Sequence, residues 1–241
     1  MVMGGNNVHT PTTLTEEYDG SSWSEGGELP EASSLGGASG TVNAGLYFGG
    51  FGGSESGDGT YTYNGTNWSE TTDLPGDSAD VTVGAGSNQG SALAMVGNAS
   101  NQLNDAYEWN GTNWSESGDA PANMKRGGMA GSVNAAVMFG SNTDPDLTLH
   151  WDGSTWSEGG SGHSPIGINN VHGGGQNDAI SAGSGYIAPY VYTKRTQYYD
   201  GTSWSEGPNM INAYATRGVG HNQGNAAGAL AAGGEGGPVT A

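Results

Sequence analysis

An eight-residue motif that occurs five times limits most strongly what this chain can fold into. It consists of an aromatic residue, Asp or Asn, Gly, Ser or Thr, any residue, Trp, Ser and Glu. The copies span residues 18–25, 63–70, 109–116, 151–158 and 199–206, so that successive copies start 45, 46, 42 and 48 residues apart. A fixed period of this length is typical of repeat proteins. We therefore treat residues 1–241 as a single domain built from repeats.

The motif predicts a tight β-hairpin. Asp-Gly and Asn-Gly are favoured central pairs of a type I′ turn, in which both residues need a positive φ, and the flanking residues are rich in Thr and aromatics. A second recurring stretch consists of small residues, a polar turn and an apolar run ending in glycine. Its copies lie at 37–50, 83–97, 129–140, 171–183 and 219–234.

This second stretch predicts two further strands per repeat, of which the first, rich in Gly and Ala, suits a crowded innermost position. Four short antiparallel strands per period of about 45 residues predict an all-β, five-bladed β-propeller. A linear β-solenoid is the alternative. The recurring motif tryptophan is a large side chain that we expect to be buried between neighbouring blades. These tryptophans are Trp23, Trp68, Trp114, Trp156 and Trp204.

Ring closure is predicted to use both ends of the chain. Residues 1–5 and 228–234 both match the second-strand pattern, so two segments compete for one place in the closing blade. We expect its outer strands from residues 14–25 and its innermost strand from about 216–224. The surplus terminal strand then either packs on a face or pairs with a neighbouring molecule. Propellers commonly close in this way, which leaves only short, protected edges.

Composition excludes several functional classes. The net charge is −19 with five basic residues, a field that repels phosphate backbones and anionic membrane surfaces. Cysteine is absent, which removes disulfides, thiolate metal sites and cysteine nucleophiles. No apolar run is long enough for a transmembrane helix, and residues 1–7 have neither the basic start nor the apolar core of a signal peptide. We expect no nucleic-acid partner and no membrane insertion.

The repeats resemble kelch-type propeller repeats, through the Gly doublet after an apolar strand (Phe48-Gly49-Gly50) and the aromatic residue and turn before a Trp. They depart from the cellular kelch pattern because the inter-repeat arginine is mostly missing and the turn is Asp-Gly or Asn-Gly. They look closer to degenerate kelch-like arrays encoded by marine bacteriophages, whose units are similar to residues 15–27. The resemblance covers nearly the whole chain. It implies a structural or host-adhesion protein of a virus particle, with other virion proteins or a host glycan as partners.

Catalysis is not expected. Five-bladed propellers host glycoside hydrolases, but these need two or three carboxylates converging on the axial channel. The predicted inner strands (36–41, 81–87, 126–133, 168–174 and 216–220) carry no Asp or Glu, and the acids recur once per repeat. A copper site of the galactose-oxidase type needs a Cys–Tyr crosslink, which this chain cannot form. A glycoside hydrolase is therefore the weakest of the alternatives, and no cofactor is expected.

Metal sites are also not expected. His172 and His221 occupy equivalent places near the inner strand, where a hydrogen-bonded channel lining is favoured over a metal pair. Asp144 and Asp146 are the better candidates for a cation. The motif glutamates are read as solvated turn carboxylates, since the adjacent sequence lacks an Asp-rich calcium loop. They are Glu25, Glu70, Glu116, Glu158 and Glu206.

A ligand is expected where the repeat is interrupted, because function in such scaffolds usually lies on irregular loops. The longest interruption, residues 184–197, combines aromatic with basic residues. The candidate binding residues are Tyr186, Tyr190, Tyr192, Lys194 and Arg195. Exposed tyrosines stack on sugars or anchor protein interfaces. An equally weighted interpretation is that Tyr190 and Tyr192 are alternating residues of a third strand.

Two functional hypotheses from different classes remain. The first is a structural or adhesive module of a virus particle, located in the virion. The second is a stand-alone, lectin-like propeller that binds glycan. Such a protein would be extracellular, although no signal peptide is visible.

Overall fold

The computed structural model describes residues 1–7, 10–52, 57–75, 82–96, 104–123, 127–141, 144–162, 171–185, 192–215, 226 and 235–236. In these residues the chain forms short β-strands and no α-helix, and none of them belongs to a helix long and apolar enough to cross a membrane. The strands, in chain order, are β1 (Val2–Met3), β2 (Asn6–Asn7), β3 (Thr10–Pro11), β4 (Thr15–Tyr18), β5 (Trp23–Glu25), β6 (Ser33–Ser34), β7 (Gly37–Thr41), β8 (Ala44–Phe48), β9 (Phe51–Gly52), β10 (Thr60–Tyr63), β11 (Trp68–Glu70), β12 (Thr82–Asn88), β13 (Ser91–Val96), β14 (Asp105–Trp109), β15 (Trp114–Glu116), β16 (Gly128–Ser132), β17 (Ala135–Phe139), β18 (Thr148–Trp151), β19 (Trp156–Glu158), β20 (Val171–Gly175), β21 (Asp178–Gly185), β22 (Tyr192–Tyr199), β23 (Trp204–Glu206), β24 (Tyr214–Ala215) and β25 (Glu235–Gly236).

Five antiparallel sheets form the five blades of a β-propeller, as the repeats predict. Blade 1 has the strand order β7-β8-β10-β11, blade 2 β12-β13-β14-β15, blade 3 β16-β17-β18-β19 and blade 4 β20-β21-β22-β23. The first strands of blades 1 to 4 lie side by side in this order, which places them innermost. The linear solenoid is therefore wrong.

The closing blade contains β1, β4 and β5 among the described residues. Its outer strands come from the predicted range 14–25, and the N-terminal strand β1 occupies the second-strand place, with Val2 opposite Glu16. Gly4 and Gly5 have φ values of 63° and 102°, close to the 66° and 98° of Gly49 and Gly50 in blade 1. The predicted innermost strand (216–224) and the competing C-terminal strand (228–234) lie outside the described residues.

The motif forms the predicted hairpin in all five blades, but the predicted turn type is wrong. The aromatic residue pairs directly with the tryptophan, as Tyr63 does with Trp68, so four residues (64–67) join the two strands. Inside them Asn64 N donates to Asn67 O at 3.2 Å. The motif glycine has a positive φ, 89° at Gly65, whereas Leu35 is the only non-glycine with a positive φ among the described residues. The Asp or Asn therefore keeps an ordinary backbone conformation.

Apolar side chains are buried between the blades. Four separate clusters of buried residues occupy the junctions between the closing blade and blade 1, blades 1 and 2, blades 2 and 3, and blades 3 and 4. No fifth cluster joins blade 4 to the closing blade within the described ranges. Because each blade buries apolar surface only against its neighbours, the stability of such a repeat protein depends on these junctions.

Candidate binding surface

In blades 1 to 4 the motif tryptophan links its blade to the preceding one through its indole N–H. Trp68 Nε1 donates to Thr15 Oγ1 of the closing blade at 3.0 Å, and Trp114 Nε1 donates to Thr60 Oγ1 of blade 1 at 3.0 Å. In both pairs the threonine begins the third strand of the preceding blade. These bonds satisfy the indole N–H in a buried position.

The junctions between blades 2 and 3 and between blades 3 and 4 also contain a hydrogen bond from the motif indole. Trp204 Nε1 donates to Thr148 Oγ1 at 2.9 Å. Trp156 is only partly buried and donates to the backbone oxygen of Gly118 at 2.8 Å. Its different acceptor has a simple cause, because Ala106 replaces the threonine at the matching position of blade 2. The motif tryptophans of blades 1 to 4 thus lie at junctions.

Two turn glutamines add a second link between blades. Gln89 Nε2 donates to the backbone oxygens of Gly45 and Tyr63 at 2.9 and 2.8 Å. Gln176 Nε2 donates to the corresponding oxygens of Ala136 and Trp151 at 2.9 and 2.7 Å. Sequence reasoning missed these links, although a recurring Gln in the turn after the inner strand was a visible signal.

Side chains on the third strands complete the junctions. Tyr63 Oη donates to Glu17 Oε1 at 2.6 Å, and burial, reinforced by this carboxylate, raises the pKa of Tyr63. His150 Nε2 lies 2.7 Å from Tyr199 Oη between blades 3 and 4. Burial lowers the pKa of His150, which favours the neutral imidazole in the folded protein.

The motif turn is held by the side chain of its Asp or Asn. Asp152 Oδ1 accepts hydrogen bonds from the N–H groups of Ser154 and Thr155 at 2.9 and 2.8 Å. The backbone N–H of Thr155, with the Ser154 and Thr155 hydroxyls and the Ser154 N–H, lowers the pKa of Asp152 to about 2. Asn64 Oδ1 accepts the same pair of N–H bonds in blade 1, at 3.0 and 2.9 Å. The role of the Asp is thus structural, and a neutral amide fulfils it too.

The closing blade differs from the other four at its motif tryptophan. Trp23 is 42% exposed, against 7% for Trp68 and 8% for Trp114. It donates no hydrogen bond to a neighbouring blade within the described residues, and the Tyr18 hydroxyl turns back to Gly20 O at 2.8 Å instead of reaching across a junction. Among the described residues Trp23 therefore does not take the predicted interblade position. It makes no hydrogen bond to Thr196, which holds in blade 4 the place that Thr148 holds in blade 3.

The exposed side of this blade carries five residues, which we call the closing face. Leu14, just before β4, and Glu16 and Tyr18 on β4 alternate along the chain and so point to one side. On β5, Glu25 lies opposite Glu16 and Trp23 lies opposite Tyr18. Leu14 is 51% exposed, and the rings of Tyr18 and Trp23 are 5.1 Å apart. In blades 1 to 4 the matching side packs against the preceding blade, so the closing face is the one exposed surface of this kind in the described part of the chain.

Comparison of the fold with solved structures finds similar chains, among them YjhT. The solved structure of YjhT superposes with a TM-score of 0.68 over 91% of this chain and 86% of that chain, at 13% sequence identity. No family model and no curated protein sequence matches the chain. The chain is a five-bladed β-propeller. At this identity the likeness concerns the fold alone.

The predicted tyrosine-rich site is only partly within the described residues of the propeller. Tyr186 and Tyr190 lie outside them. Tyr192 begins β22 and is half-buried, so that for this residue the third-strand interpretation holds. Lys194 and Arg195 are exposed on the same strand. The strands β21 and β22 also pair at Ser184 with Thr193 and at Gly185 with Tyr192, so this hairpin is longer than its counterparts in the other blades.

The candidate metal ligands do not come together at a metal-binding site in the described residues. His172 is 2% exposed and meets Phe139 of blade 3 edge-on at 6.3 Å, so it packs between blades instead of lining the channel as expected. His221 lies outside the described residues. Asp144 and Asp146 belong to one turn, in which Asp146 N donates to Asp144 Oδ1 at 3.2 Å. No group of three His, Asp or Glu side chains suited to a metal occurs in the ranges that the structure describes.

Proposed function

We propose that this protein is a non-catalytic structural or host-adhesion module of a virus particle, carried on a tail, fibre or capsid and acting through protein or glycan contacts. The proposal rests on the likeness of its repeats to phage-encoded kelch-like arrays. The observation that carries the non-catalytic part is the placement of the motif carboxylates. Glu70, Glu116, Glu158 and Glu206 are exposed on the outermost strands, far from the inner strands where a propeller hydrolase gathers its acids.

A particle-level experiment tests this function. Particles of a virus that encodes the protein are purified by density gradient from a lysate of its infected host, and their proteins are quantified by mass spectrometry. We expect the propeller at a fixed, stoichiometric copy number per particle. Recovery only in the particle-free supernatant would refute the virion assignment.

A stand-alone glycan-binding propeller is the second candidate, favoured by the aromatic pair of the half-buried Tyr18 and the exposed Trp23. Aromatic faces of this kind stack on sugar rings. Binding of the purified protein to defined glycans on an array, with no association to particles, would support this candidate over the first.

A further inference from the structure

The closing face differs from its four counterparts in charge as well as exposure. Glu16 lies directly opposite the motif glutamate Glu25 in the β4–β5 register. The residues in the place of Glu16 in blades 1 to 4 are Tyr61, Tyr107, Leu149 and Gln197, each opposite its own motif glutamate. Among the five motif hairpins that the structure describes, only that of the closing blade sets two carboxylates against each other.

Two like charges directly opposite in an antiparallel pair destabilise the sheet. The opposition therefore has a cost in the free protein, and a cation placed between Glu16 and Glu25 would remove it. Both side chains are exposed and accessible to such a group.

The aromatic pair beside these carboxylates favours the same kind of ligand. A cation over the face of Trp or Tyr is attracted by the ring quadrupole. The indole of Trp23 stands on the same strand as Glu25, and the Tyr18 ring lies 5.1 Å from it. Leu14, at 51% exposure, adds apolar surface on which the methylene stem of a long basic side chain can lie.

We infer that the closing face binds Lys or Arg side chains of a partner protein, through the Tyr18–Trp23 pair and the opposed carboxylates of Glu16 and Glu25. A net charge of −19 attracts basic partners over a longer range and repels a second copy of this chain. This inference rests on the proposed function, since it names the chemistry by which such a module engages another protein.

Peptide titration of the full chain tests the inference. The probe is an acetylated, amidated hexapeptide of alternating Thr and Lys, and the matched control peptide has Gln at each Lys position. The readout is the indole N–H resonance of Trp23 in ¹H–¹⁵N correlation spectra, assigned with a Trp23→Phe variant. We expect a saturable shift of this resonance with the lysine peptide and none with the glutamine peptide.

Single variants then separate a site from general electrostatic attraction. Glu16→Gln and Glu25→Gln should each weaken binding roughly two- to fivefold, as for exposed ion pairs, while Glu70→Gln, a motif glutamate opposite Tyr61, should not. Unchanged thermal melting shows that each variant is folded. An equal loss in Glu70→Gln, no shift with the lysine peptide, or a shift with a neutral methyl glycoside instead would each overturn the inference.

The two proposals fail separately. A protein that binds the lysine peptide at Trp23 but is missing from purified particles refutes the virion role alone. A protein present in particles whose Trp23 resonance ignores the lysine peptide refutes the closing-face inference alone.

Discussion

Truncation of Trp114 is the most direct test of how the propeller is held together. Its side chain is 8% exposed, meets Phe48 of blade 1 edge-on at 5.0 Å and donates its N–H to Thr60 Oγ1. A tryptophan buries on the order of 200 Å², which corresponds to about 5 kcal/mol at ~25 cal/mol per Å². Since a compact unfolded chain already buries part of this area, we expect Trp114→Ala to cost roughly 3–5 kcal/mol.

The assay is urea unfolding followed by far-UV circular dichroism, with thermal melting alongside. A loss of this size lowers the melting temperature by roughly 6–20 °C for a domain of this length. The matched control is Trp23→Ala, since Trp23 is 42% exposed and loses mainly its contact with Tyr18, which is worth about 1 kcal/mol. An unchanged melting temperature for Trp114→Ala, or an equal loss for both variants, would refute the interblade role.

Three further perturbations test single links. The pKa of Asp152 falls from 3.8 to about 2 on folding, so the stabilisation of the folded state by this carboxylate is complete above about pH 4 and is lost as the pH falls to about 2. In Asp152→Asn the free energy of unfolding in urea should therefore depend less steeply on pH over that window. An unchanged slope would contradict the role of Asp152 in the turn. Burial lowers the pKa of His150 below 6.5, so the contribution of the neutral imidazole to the free energy of unfolding is present above that pH and is lost as the pH falls through the lowered pKa. An NMR titration of His150 with its midpoint at the ordinary value would contradict this. Gln89→Met keeps the stem but removes two hydrogen bonds to blade 1 and should cost about 1–3 kcal/mol, whereas a neutral result would show that water replaces them.

The sequence was sufficient for the architecture because each repeat carries its own strand and turn signals. The period placed the hairpins, and the glycine- and alanine-rich stretches placed the inner strands, of which β12 is one. The turn type was not predictable from the Asn-Gly pair. A side-chain oxygen such as that of Asn64 accepts from two N–H groups of the loop, and these local bonds favour a turn in which only the glycine has a positive φ over the type I′ turn that the Asn-Gly pair suggests.

The candidate surface was much less predictable. Trp23 and Trp68 sit in motifs that differ little, yet one is exposed and the other buried. What separates them is the blade that precedes each one, and this is a contact between residues far apart in sequence. A local signal did exist in Glu16, which stands where the other repeats carry Tyr, Leu or Gln, but its meaning required the strand register that sets it against Glu25.

An alternative account of Glu16 is that it only keeps a terminal repeat soluble, since end repeats of such arrays need a polar outer face. Under that account the whole face should have become polar, as capping repeats do. Leu14 and Trp23 instead stay apolar and exposed beside the two carboxylates. Solubility alone gives no reason to keep an indole and a leucine in water, whereas recognition of a long basic side chain uses all of them together. The mixture of charge and apolar surface is therefore better explained by binding than by capping.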